Sequence, residues 1–215
     1  MNLNEIIKRI LSSIILLPII IFLIIKGSYL FNLLIILSFF ISSYEWFKMS
    51  KKLFYTILGI FCLMISFYSI FKLRNEFDNN YSYLLLVLLI CVSTDIGGYL
   101  FGNFFKGPKL TKISPKKTYS GMIGSFLLPV LFTYIFFIFF SDQILFNFTK
   151  EMLIFTLLVS LISQIGDIVI SYFKRKSKIK DTGNIIPGHG GILDRIDGML
   201  FAFPFSYLIF LNWTF

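Results

Sequence analysis

Long apolar runs separated by short polar segments dominate the chain. A helix needs about 20 apolar residues to cross a bilayer's hydrocarbon core, within a range of roughly 17–25. Runs of that kind lie at about 10–25, 29–47, 53–71, 81–101, 121–140, 152–173 and 199–213. The first and last are short and extend into their flanks. The pattern predicts an all-α, polytopic transmembrane helix bundle of about seven spans. No internal repeat, low-complexity tract or linker is visible. The predicted organisation is an N-terminal three-span membrane region over 1–80 and a second membrane region over 81–215. The second region carries polar loops at 102–120 and 174–198.

Composition supports the bilayer as solvent. Hydrophobic residues make up 57% of the 215 positions and charged residues 14%, against roughly half and a quarter in a soluble domain. A soluble fold of this length has no interior large enough for 28 Phe and 11 Tyr beside such Leu/Ile runs. Cys62 and Cys91 both sit in apolar runs without a CxxC pair, which excludes a disulfide framework and a thiolate metal site. Lys8 and Arg9 precede the first run as in a signal peptide, but no small-residue cleavage site follows, so a retained helix is expected.

Charge adds an orientation. Of the 20 Lys and Arg, 16 lie on alternate segments counted from the N-terminus. The positive-inside rule then places the N-terminus and both basic loops in the cytoplasm, with the C-terminus outside. A multi-pass protein of a bacterial inner membrane is the expected setting. The net charge of +9 is what anchoring to anionic lipid requires. Nucleic acid is excluded as a partner, because no soluble domain is present to carry it.

The polar segment 171–198 holds five of the 14 glycines, the only histidine and three of the 11 acids. Gly183, Gly188, Gly190, Gly191 and Gly198 permit tight turns and close backbone approach to a ligand. Backbone N–H groups flanked by Lys and Arg suit phosphate oxygens. Asp181, Asp194 and Asp197 beside such a site call for a divalent cation, since bare carboxylates repel a phosphate. A solvated basic loop explains the lysine run, but it has no need of Asp-x-x-Asp after His189-Gly190-Gly191.

The span leading into this loop is polar on one face. Thr156, Ser160, Ser163, Gln164, Asp167, Ser171 and Lys174 recur at steps of three or four. Asp167 is costly inside a span and is expected to face the protein interior in a functional role. A second constellation lies in 91–121. Asp95 is the only charge of its span, and Cys91, Asp95, Gly98 and Gly102 share a face of small residues that permits close helix packing. Asp95 is read equally as a ligand contact or as the structural partner of a buried cation.

Ser171-x-x-Lys174-Arg175, Lys180-Asp181-x-Gly183, Pro187-x-His189-Gly190-Gly191 and Asp194-Arg195-x-Asp197 together resemble the signature of the phosphatidate cytidylyltransferases, or CDP-diacylglycerol synthases. Gly166-Asp167 and Ser114-Pro115-Lys116-Lys117-Thr118 also look like motifs of that family. The resemblance covers roughly 91–205, with Glu45-Trp46 a faint echo upstream. Ser120 and Ile170 stand where the family commonly has acids, and the chain looks short at its N-terminal end.

The resemblance implies CTP and phosphatidate as substrates, CDP-diacylglycerol and pyrophosphate as products, and Mg2+ as cofactor. It implies a catalytic set of Asp167, Lys180, Asp194 and Asp197. Asp167, Asp194 and Asp197 would be metal ligands, with Asp95 a further candidate. Substrate contacts would come from Ser171, Lys174, Arg175, Asp181, His189, Gly190, Gly191, Arg195, Lys116 and Lys117. Lys176 and Lys178 are read as surface charges, and a homodimer is a further expectation. A CTP-dependent polyprenol kinase is the nearest alternative. A transporter ranks lower, because Asp95 and Asp167 sit in unrelated settings and no repeat relates them.

Overall fold

The computed structural model describes residues 3–76, 81–110, 117–140, 149–185 and 190–212, with side chains from Ile15 onward. Its helices are α1 Leu3–Lys26, α2 Ser28–Met49, α3 Leu53–Asn75, α4 Ser82–Phe105, α5 Tyr119–Phe140, α6 Lys150–Lys176, α7 Leu193–Ile196 and α8 Met199–Asn212. Each predicted run coincides with a helix to within about four residues, except that α1 begins seven residues before its run. Helices α2 to α6 are long and apolar enough to cross a membrane, while the apolar stretches Ile15–Lys26 and Met199–Asn212 are shorter. Large side chains such as Phe104, 81% exposed, and Phe139, 78% exposed, cover the outside. Only lipid makes that surface stable.

Contacts between helix ends sort the bundle into two faces. On one, Glu45 and Met49 of α2 touch the segment 177–193, and Lys176 at the end of α6 reaches Tyr55 at the start of α3. On the other, Arg74 of α3 donates to the carbonyl of Ile24 (2.8 Å) at the end of α1, and Tyr83 of α4 stacks edge-on against Phe210 of α8. The described parts of both basic loops lie on the first face.

Two prolines show how the spans stay satisfied without water. A proline in a helix leaves the carbonyl four residues earlier without its donor, which is expensive at membrane depth. Pro129 in α5 orphans the Ser125 carbonyl, and the Ser160 hydroxyl of α6 donates to it at 2.6 Å. Pro204 in α8 orphans the Leu200 carbonyl, and the Ser66 hydroxyl of α3 supplies that donor at 2.5 Å.

The tightest helix pair is α4 with α5. A Cβ on Gly97 would collide with the Gly124 carbonyl, and one on Gly124 would lie 2.5 Å from the Gly97 carbonyl. Gly98 and Gly102 face Gly121 and Thr118 in the same seam. Small residues here let dispersion do what the hydrophobic effect cannot do inside lipid. The seam brings the loop after α4 back over α6. An antiparallel bridge between Lys109 and Thr118 ties that loop at its base.

Candidate active site

A cavity of about 400 Å³ opens between α4, α5 and α6, in the range of ordinary ligand pockets. Asp95, Gly98 and Tyr99 come from α4, Gly121 and Ser125 from α5, and Gln164, Asp167 and Lys174 from α6. Lys117 and Thr118 close it from the loop before α5, and Asp181, Asp194, Arg195 and Asp197 from the segment before α8. The two sequence constellations are therefore one site. Asp95 lies ten residues before the end of α4, and at 1.5 Å per residue the cavity reaches about 15 Å below that helix end.

Its floor is neutral and polar. Thr94 and Gln164 approach the Ser160 hydroxyl at 3.0 and 3.5 Å, and that hydroxyl is the one serving the Pro129 break. Above the floor the groups are charged. Lys117 Nζ lies 2.6 Å from Asp167 Oδ2, and the Ser171 hydroxyl donates to Asp167 Oδ1 at 3.2 Å. Lys174 Nζ lies 3.0 Å from Asp194 Oδ1 and 3.5 Å from Asp197 Oδ2.

Asp194 is almost wholly buried and fully engaged. Its second oxygen accepts the backbone N–H groups of Thr182 (2.7 Å) and Gly191 (3.0 Å). Asp197 sits on the turn between α7 and α8, where Oδ1 accepts the Gly198 N–H at 2.9 Å. Burial first, and then the neighbouring Asp167 charge, hold its carboxyl above the usual carboxylate range.

The residues singled out in the sequence divide clearly. Asp95, Asp167, Lys174, Asp181, Asp194, Arg195, Asp197 and Lys117 line the cavity, and Ser171 reaches it through Asp167. Gly190, at φ +91°, adjoins Asp181 and Asp194. The Gly191 N–H, offered in the sequence reading to a phosphate, is given to Asp194. Arg175 is exposed and donates to the Ile179 carbonyl. Lys180 is exposed and is not part of the cavity wall. Lys176 lies over the Tyr55 ring, 4.2 Å from its centre. His189 and Lys116 lie outside the described residues.

From the sequence, Glu45 is only a faint family echo with no assigned role. Only 2% exposed, it accepts hydrogen bonds from the Thr182 hydroxyl (3.0 Å) and from the backbone N–H groups of Ile192 (3.1 Å) and Leu193 (2.9 Å). The signal was present, since an ionisable residue in the apolar run 29–47 falls under the rule applied to Asp95 and Asp167.

Among the described residues no three carboxylate, imidazole or thiol groups already converge as a metal cage. The donor chemistry nevertheless fits a hard divalent cation. Five aspartates and three cationic side chains line the cavity, a formal excess of two negative charges. Asp95, Asp167 and Asp197 line the same cavity. One or two carboxylates completed by substrate phosphates is a usual magnesium arrangement. Asp194, with Lys174 on one oxygen and two backbone N–H groups on the other, is the most heavily engaged of the four candidates.

Residues 51–213 match the Cytidylyltransferase family. The chain is 38% identical over 208 residues to the phosphatidate cytidylyltransferase of Rickettsia bellii (strain RML369-C), covering 94% of this chain and 89% of that one. It is 37% identical over 214 residues to the protein of the same name from Rickettsia felis (strain ATCC VR-1525 / URRWXCal2), covering 94% and 90%. Against the phosphatidate cytidylyltransferase of Staphylococcus aureus (strain COL) it is 39% identical over 191 residues, covering 83% and 68%. With a helical membrane bundle closed around a phosphate-suited cavity and a match across three quarters of its length, the chain belongs to the cytidylyltransferase family.

Proposed function

We propose that the chain is a phosphatidate cytidylyltransferase, joining CTP and phosphatidate into CDP-diacylglycerol and pyrophosphate. The observation that carries this reading is the convergence of Lys117, Lys174 and Arg195 with the aspartates on one cavity inside the bundle. A lipid phosphate and a water-borne nucleotide need such a meeting place, charged near the helix ends and reaching into the span.

An oxygen of the phosphatidate phosphate attacks the α-phosphorus of CTP. A new P–O bond forms, and the bond from the α-phosphorus to the α–β bridging oxygen breaks. Its electron pair leaves on pyrophosphate. The nucleophile is already an anion, so no strong base is needed, and the work is positioning two anions and neutralising charge. Lys117, Lys174 and Arg195 supply donors at the phosphates. Asp194 fixes Lys174 from behind, and Ser171 holds Asp167. Asp167 and Asp197, with Asp95, are the groups that would hold a magnesium ion, which when bound neutralises phosphate charge as a Lewis acid. Phosphatidate-dependent release of pyrophosphate from CTP by the purified protein tests this reading, and its absence contradicts it.

The same reading puts the basic face in the cytoplasm of a bacterial cell, where CTP is found, and the bundle in its inner membrane. The positive-inside bias supports that orientation.

A further inference from the structure

Beyond the cavity, Glu45 stands apart in a region whose spans otherwise look like generic membrane helices. Its carboxylate is buried and does not line the cavity. It is held instead by the loop that builds the cavity. Oε1 accepts the Ile192 N–H, and Oε2 accepts both the Leu193 N–H and the Thr182 hydroxyl.

Two of the motif glycines exist around this group. A Cβ on Gly191 would collide with the Glu45 carboxylate, and one on Gly183 would stand 2.6 Å from Oε1. Thr182 serves two carboxylates at once, giving its hydroxyl to Glu45 and its backbone N–H to Asp194. Asp194 in turn holds Lys174. A continuous hydrogen-bonded path thus runs from α2 through Thr182 and Asp194 to a cation in the cavity wall. Neighbouring contacts secure the same joint: the Ser177 hydroxyl donates to the Met49 carbonyl at 2.8 Å, and Trp46 packs edge-on against Phe173.

We infer that Glu45 is a positioning residue for the reaction, setting the Thr182–Leu193 loop and, through Thr182 and Asp194, the place of Lys174. Without it three donors lose their acceptor, two of them in buried bonds, and each such loss is costly away from water. No neutral side chain of the same size restores them all. A glutamine in its place keeps one oxygen and turns an NH2 toward donors.

The inference rests on the cytidylyltransfer reading for its kinetic arm, so wild-type turnover of CTP with phosphatidate is measured first. Glu45→Gln is expected to lower kcat about tenfold or more, with KM for CTP and phosphatidate within about twofold of wild type, the signature of lost transition-state positioning. Thr182→Val should lower kcat in the same sense and Thr182→Ser should recover it. The Glu45→Gln/Thr182→Val double variant should fall little further than Glu45→Gln, because both changes break one path. Hydrogen exchange gives an arm independent of activity: backbone N–H groups of 190–196 should exchange faster in Glu45→Gln, while those of 119–140 stay as in wild type.

A wild-type chain inactive with CTP and phosphatidate sinks the functional reading, and the exchange arm still decides the role of Glu45. Unchanged exchange at 190–196 overturns the inference. So does unchanged kcat in both single variants, or a raised KM for CTP with kcat intact. If Glu45→Gln does not fold, the Thr182 pair decides: equal kcat for Thr182→Val and Thr182→Ser is the contradicting result.

Discussion

The Lys117 ammonium stands 2.6 Å from Oδ2 of Asp167, and this pair joins the loop before α5 to the middle of α6. Both side chains are about a quarter exposed, which limits the pair's worth to the fold to about 0–1 kcal/mol. On the proposed reaction its value lies in catalysis, because a cation already placed beside a carboxylate needs little rearrangement to meet a phosphate. Removing one such donor costs about 3–4 kcal/mol of transition-state stabilisation, or two to three orders of magnitude in rate. Lys117→Met should therefore lower kcat/KM for CTP by about 10²–10³ with little change in thermal stability. Lys180→Ala, off the cavity wall, should lower it less than tenfold. Initial rates against CTP for both variants check the contrast, and equal losses would contradict it.

The aspartates should separate by role. Asp194 bonds a lysine and two backbone N–H groups while buried, and breaking a buried pair from one side costs about 3–5 kcal/mol. Asp194→Asn should lose both activity and thermal stability. Asp197→Asn keeps an oxygen for the Gly198 N–H and gives up only the longer, 3.5 Å contact with Lys174, so it should lose activity with a smaller loss of stability than Asp194→Asn. Melting curves and rates on the same detergent samples decide it. A stable Asp194→Asn beside an unstable Asp197→Asn would reverse the assignment.

Much of this was legible in the sequence, for a physical reason. In a bilayer every backbone group must be satisfied inside the protein, which favours long apolar helices, so apolar length alone located all seven hydrophobic runs. Charges are costly there, so Asp95, Asp167 and the 171–198 segment stood out at once. The polar face of α6 was equally readable: Ser160, Gln164, Asp167 and Lys174 all face the cavity or its floor. What was not legible is pairing across helices. Nothing in the one-dimensional pattern ties Ser160 to the Ser125 carbonyl, or Lys117 to Asp167. Glycine loops read as phosphate sites because their N–H groups are free on paper. Here Gly191 and Leu193 give theirs to Asp194 and Glu45.

The serine–proline pairing yields a stability test. Ser160→Ala leaves the Ser125 carbonyl beside Pro129 without a donor, and an unsatisfied buried polar group costs about 1–3 kcal/mol. At this chain length about 2–4 °C of Tm is lost per kcal/mol. Ser66→Ala should do the same to the Leu200 carbonyl in α8. Melting temperatures within a degree of wild type for both variants would show that the prolines find other partners.

Orientation can be read by labelling. Lys109→Cys and Lys178→Cys lie on the basic face, and Tyr29→Cys lies at the opposite end, in the first turn of α2. In intact cells an impermeant thiol reagent should reach only position 29. Labelling of 109 or 178 from outside would turn the bundle over.

Transfer of a cytidylyl group onto a lipid phosphate can be followed through the fate of the CTP phosphorus. Purified protein is incubated with phosphatidate, magnesium and CTP labelled at either the α- or the γ-phosphorus. The α-label should appear in the lipid product and the γ-label in pyrophosphate, in equal amounts, with neither formed when phosphatidate is omitted. γ-Label in the lipid fraction would instead mark a phosphoryl-transferring kinase and contradict the account.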